Sequence, residues 1–118
     1  CFVTGNPAER LPNTANIAFE YIEGEGILLL MNREGIAASS GSACTSGSLE
    51  PSHVLRAMNI PYTAAHGAIR FSFSRDNTDA DVDRVLEVMP GIIEKLRALS
   101  PFWQGANEAP ATFNPVYA

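Results

Sequence analysis

The chain has 118 residues, room for one domain with a single core. Hydrophobic residues make up 46% and charged residues 18%, a folded globular composition that excludes a disordered chain. Eight Lys+Arg against 13 Asp+Glu give a net charge of -5, and Lys95 is the one lysine, so neither nucleic acid nor an anionic membrane surface finds the clustered cations it needs.

In chain order, Cys1-Phe2-Val3 reads as a short strand, and Gly5-Asn6-Pro7 and Pro12 punctuate a turn-rich link. Residues 14–22 alternate, with Ala15, Ile17, Phe19 and Tyr21 on one face, which predicts a strand. Ile27–Met31 fits a short helix with acids Glu23 and Glu25 at its start and Gly35 past its end; a buried strand competes, because the run is short. A brief strand is expected over Ile36-Ala37-Ala38. Ser39–Ser48 is mostly Ser, Thr and Gly, has little to bury and is expected to be a mobile loop. Pro51-Ser52 opens a helix through Met58, with Val54, Leu55 and Met58 on one face. Residues 59–67 connect it to a strand over 68–74, where Ile69, Phe71 and Phe73 oppose Arg70, Ser72 and Ser74.

The strongest helical signal spans Thr78–Leu99, with Val82, Val85, Leu86, Met89, Ile92, Ile93, Leu96 and Leu99 at helical spacing. Thr78 is placed to cap it, Asp79, Asp81 and Asp83 suit its positive end, and Lys95 and Arg97 its negative end. Pro90-Gly91 predicts a kink. Residues 101–118 carry Phe102, Trp103, Phe113 and Tyr117 among Pro, Asn and Gly, and are expected to form an extended tail. The order is β β α β α β α, an α+β unit with a short antiparallel or mixed sheet and helices on one side.

The longest apolar run is far below the ~20 residues of a membrane span. Residues 1–15 hold no apolar leader core, and the opening reads like the middle of a strand, so the chain is expected to be a piece of a longer, cytoplasmic protein. Two cysteines make no disulfide framework; one Cys1–Cys44 bridge stays conceivable, but a reducing compartment favours free thiols. With no CxxC, no HExxH and two histidines, a structural zinc site is not expected.

Cys44 is the first candidate for chemistry. A cysteine is ordinarily a small buried hydrophobe, yet Ser39-Ser40-Gly41-Ser42 and Thr45-Ser46-Gly47-Ser48 on its flanks suit an exposed, reactive thiol. Arg70 is the second: either a solvated strand arginine, or a guanidinium fork set in a cleft to hold a carboxylate. Ser39–Ser48 as a phosphate cradle lacks the lysine and glycine spacing of such loops. His53 and His66 read as surface or hydrogen-bonded histidines, Glu23 and Glu25 as helix-start acids, and Cys1 as structural.

Ser39-Ser40-Gly41-Ser42-Ala43-Cys44-Thr45-Ser46-Gly47, followed by Glu50–Met58, resembles the active-cysteine segment of NifS-like cysteine desulfurases, class-V-aminotransferase-type pyridoxal-phosphate enzymes. The likeness extends through Leu11–Ile17 and Ala68–Ser72, covers about residues 10–99, and in its serine-rich loop looks most like the nitrogen-fixation branch. It implies a fold-type I homodimer that converts L-cysteine to L-alanine and leaves a persulfide on the cysteine that matches Cys44. Arg70 matches the arginine that pairs with the substrate carboxylate. The cofactor's Schiff-base lysine and its other ligands have no match here, and Lys95 lacks the context of that lysine. The resemblance is therefore to the C-terminal small domain, residues 1–100, which alone is expected to bind no pyridoxal phosphate and to turn over no cysteine. An iron–sulfur scaffold protein is the expected sulfur acceptor; Cys44 lending a ligand to a transient, shared iron–sulfur cluster belongs to the alternative docking reading. A non-catalytic docking module for such a scaffold, or a small domain with an ordinary surface cysteine, are the alternative readings.

Overall fold

Alternation in the two best strand candidates becomes the centre of a four-stranded sheet. The structure, a computed structural model, describes residues 1–40 and 50–103. Its elements are β1 (Phe2–Val3), β2 (Thr14–Ala18), α1 (Gly24–Arg33), β3 (Ser39–Ser40), α2 (His53–Ala57), α3 (Tyr62–Ala65), β4 (Ala68–Ser72) and α4 (Asp79–Leu99). β2 and β4 pair from Thr14 opposite Ser72 to Ala18 opposite Ala68. β1 adds to the free edge of β2 and β3 to that of β4, giving the order β1-β2-β4-β3 with every pair antiparallel. The class is α+β, as the element order implies, but helices cover both faces of the sheet and not one side only.

Side chains alternate between faces along each strand, and the two faces are covered differently. Ile17, Ile69 and Phe71 meet Ile27 and Met31 of α1 and Met89, Ile92 and Ile93 of α4. Ile27, Met31 and Ile69 are fully buried, each contributing roughly 1.5–3 kcal/mol of apolar burial. On the opposite face Ala18 and Ala68 pack against Leu55 of α2 and Ala64 and Ala65 of α3.

The apolar run at 27–31 is helical, the first of its two readings, and Gly35 past its end takes a φ of 74°, which only glycine adopts without strain. Several other elements differ from expectation for identifiable reasons. The second strand stops at Ala18 rather than residue 22, because the chain turns onto α3: Tyr21 takes a φ of 66°, its N–H donates to the Thr63 carbonyl at 3.1 Å, and the Gly24 N–H donates to the His66 carbonyl at 2.8 Å. The strand expected at 36–38 lies instead at Ser39–Ser40, where β4 supplies partners. α3, inside the expected connection, follows Pro61. In α2 only Leu55 is buried; Val54 and Met58 are exposed. Cys1 precedes β1 and is exposed, so it is no core residue. α4 includes Pro90 within one helical stretch, Asp79–Leu99, as the apolar spacing on both sides of it implies. Its apolar stripe is only partly core: Val82 and Leu86 are exposed and, with Phe71, Phe73 and Met89, border a groove of about 710 Å³ that Cys1 also lines.

The start of α4 holds the predicted cap. The Thr78 hydroxyl accepts from the Asp81 N–H at 3.4 Å, and the Thr78 N–H donates to Asp81 Oδ2 at 2.8 Å. That backbone donor, and after it the Asn77 side chain, hold the Asp81 carboxyl below its ordinary value. A folded-state value below the unfolded one stabilises the protein above the ordinary carboxylate range, and the gain is lost as pH falls through the folded value. Asp81→Asn should therefore flatten the acid limb of stability against pH, read as a thermal midpoint that no longer falls as steeply at acid pH. Thr78→Ala should cost about 1 kcal/mol at neutral pH.

Candidate functional site: a polar row across the sheet

Antiparallel partners share a face, so one polar row can be followed through the whole sheet. Ser39 stands opposite Arg70, and Arg70 opposite Asn16. One step past β1, the Thr4 N–H donates to the Asn16 carbonyl at 2.9 Å. Thr4, Asn16, Arg70 and Ser39 thus form a row on the face away from α1 and α4. The Thr4 hydroxyl donates to Asn16 Oδ1 at 2.9 Å and approaches the Asn16 carbonyl oxygen at 3.3 Å. Thr4 is buried, Asn16 and Ser39 are half-buried, and Arg70 is exposed.

On this face the adjacent row is Ala18 and Ala68, which α2 and α3 cover. Arg70 therefore stands where the cover ends. Among the described residues it makes no ion pair or hydrogen bond. Arg56, Arg75 and Arg84, by contrast, each have a carboxylate within 4 Å. A cation held mid-strand, free of a carboxylate of its own, can receive one from outside.

Cys44 falls in residues 41–49, outside the described residues. The elements on either side of that segment are described. It leaves β3 at Ser40, next to the Arg70 row, and leads to α2, which covers the neighbouring row.

The remaining candidates are placed elsewhere. His66 is largely buried, with Nδ1 3.7 Å from Glu23 Oε2 and its ring edge-on to Tyr62 at 4.2 Å. His53 is exposed at the first position of α2, and Glu25 lies in the first turn of α1. Among the described residues no three His, Cys, Asp or Glu side chains are grouped to hold a metal. None of their helices is long and apolar enough to cross a membrane. Trp103 packs under the Arg97 guanidinium at 4.0 Å and beside Tyr21 at 6.1 Å; the tail beyond it, residues 104–118, lies outside the described residues. Asn16 is the member of this row that sequence reasoning passed over. Its signal was a polar side chain inside a strand, in phase with Arg70 once the strands are paired.

Residues 1–85 match the family model for aminotransferase class-V. The chain belongs to the aminotransferase class-V family. This class-V chain is 79% identical over 117 residues to a cysteine desulfurase of Gluconacetobacter diazotrophicus, covering 99% of the chain and 29% of that protein. It is 66% identical over 119 residues to cysteine desulfurase NifS of Azotobacter vinelandii, covering 98% of the chain and 30% of the relative. The fold superposes on the crystal structure of a NifS-like protein from Rickettsia africae with a TM-score of 0.67 at 29% identity, covering 79% of the chain and 23% of that structure. The chain thus spans under a third of the length of the curated relatives it matches.

Membership of the class-V family implies pyridoxal phosphate. The described residues do not fit it. The group needs a lysine amine at a site that also receives substrate, and Lys95 is exposed on α4, beside Leu30, Arg33 and Glu34. α4 packs on the Ile17–Ile69 face, so the sheet stands between Lys95 and Arg70.

Proposed function

We propose that this class-V chain is the sulfur-carrying part of a cysteine desulfurase, with Cys44 as nucleophile and Arg70 as receptor for the substrate carboxylate. The observation that carries the reading is Arg70, without an ion pair or hydrogen bond among the described residues, on the face bordered by β3 and α2, the two elements that the Cys44 segment joins. A chain of four residues from Ser40 reaches at most about 14 Å, a bound compatible with Cys44 and Arg70 serving one substrate. High identity to proteins named cysteine desulfurase supports the same assignment.

In this reading the Cys44 thiolate attacks the sulfur of L-cysteine. An S–S bond forms as the C–S bond breaks, and the electron pair of that bond stays with carbon. The carbon takes a proton and becomes the methyl group of L-alanine. Sulfur is oxidised and carbon reduced within the same pair of reactants, so no external oxidant enters. Arg70 fixes the carboxylate with its planar fork and so orients the substrate sulfur.

The chain works as part of a longer polypeptide, consistent with its coverage of 29% and 30% of its relatives. That polypeptide supplies the pyridoxal phosphate site, pairs as a homodimer in the cytoplasm, and passes sulfur to an iron–sulfur scaffold protein, in the nitrogen-fixation branch for nitrogenase maturation. The test is a single turnover of the full-length enzyme with L-cysteine and no acceptor. One extra sulfur atom, removable by reducing thiol, is expected on the peptide that carries Cys44. Its appearance on another cysteine would overturn the assignment.

A further inference from the structure

We propose that Asn16 is a second donor to the carboxylate that Arg70 receives, and that Thr4 sets the orientation of its amide. The proposal rests on the reading of Arg70 as carboxylate receptor. Asn16 and Arg70 are directly opposed on paired strands, which places their Cβ atoms about 5 Å apart on one face. An asparagine amide has one accepting end and one donating end of nearly equal shape, so what it offers depends on which way it is turned. Here the turn is set from the far side. The buried Thr4 hydroxyl donates to Oδ1 at 2.9 Å, which occupies the accepting end. Nδ2, with no hydrogen bond among the described residues, is left for the open face.

A carboxylate has more acceptor positions than one guanidinium fills. A neutral N–H beside the fork takes one of the rest without burying a second charge. Two donor groups on adjacent strands also define a plane and a direction, which a single flexible arginine does not. The pair would select ligands with a free carboxylate over the corresponding amines or esters.

The experiment uses the full-length enzyme, with mercaptopropionate (carboxylate, no amine) and cysteamine (amine, no carboxylate) as competitive inhibitors against L-cysteine. Asn16→Ala should raise the KM for L-cysteine and the inhibition constant of mercaptopropionate about tenfold or more, as for loss of a hydrogen bond to a charged group. The inhibition constant of cysteamine should not change. Asn16→Asp, of the same shape, should raise the mercaptopropionate constant further, because it sets carboxylate against carboxylate. Thr4→Val should reproduce part of the loss with Asn16 still in place, so the idea stays testable if the alanine variant misfolds. If Arg70→Gln weakens mercaptopropionate and the Asn16 and Thr4 variants do not, the role of Asn16 falls and that of Arg70 stands. If Arg70→Gln changes nothing, the carboxylate reading itself falls. Equal losses for both inhibitors in the Asn16 variants would mark a merely structural role and overturn the proposal.

Discussion

Cys44→Ala in the full-length enzyme should lower alanine production from L-cysteine by on the order of 10³-fold or more, the scale seen when an enzyme loses its nucleophile. Alanine offers no lone pair to take the sulfur, so the C–S bond has no partner for its breaking. Cys44→Ser should not rescue, because a hydroxyl stays protonated where a thiol ionises. Substrate affinity should survive in both variants, since Arg70 and not Cys44 is proposed to hold the carboxylate. Cys1→Ala supplies the contrast. Cys1 lines the groove beside α4, across the sheet from Arg70, and its loss should leave the rate unchanged. Full alanine production by Cys44→Ala would remove the sulfur-carrier reading.

Gly67→Ala should destabilise the domain by about 3 kcal/mol or more, at or beyond the top of the usual range for overpacking. A β-carbon at Gly67 would run into the carbonyl oxygens of Phe19 and Ile22. Both are backbone atoms, so no side-chain rotation relieves the clash. The Gly67 carbonyl also accepts the Phe19 N–H at 3.1 Å, so the two strands cannot separate without losing that bond. Typical domains are stable by only 5–15 kcal/mol, and a denaturation midpoint should register the change plainly. A midpoint equal to the parent's would show that the Phe19–Ile22 turn yields more easily than its hydrogen bonds imply.

Periodicity made the long elements legible. α4 announced itself by eight apolar residues at helical spacing and a capping threonine, and β4 by its alternation about Arg70. α3 was not legible, since four residues hold barely one turn and show no period. Ser39 and Ser40 have poor strand propensity and become a strand only because β4 offers an edge; that is tertiary pairing overriding local preference. Val82 and Leu86 looked like core because helical spacing gives a direction but not a partner. The face of Arg70 was readable, and Cys44 and Arg70 were both candidates. Their neighbours were not, because the row from Thr4 to Ser39 exists only once four distant segments are in register. The family resemblance, by contrast, was carried by the Ser-Gly-Ser-Ala-Cys run and agrees with the family match over residues 1–85.

The pairing of β2 with β4 has a consequence for folding errors. Sliding β4 by a single residue would exchange the places of Ile69 and Arg70. The guanidinium would then enter the cluster that holds Ile27 and Met31, and an isoleucine would take the exposed place of Arg70. An unpaired charge in such a place is too costly to persist. The residue proposed to recognise substrate therefore also proofreads the sheet: a misthreaded strand would yield unfolded chain, and not a folded protein with a defective site.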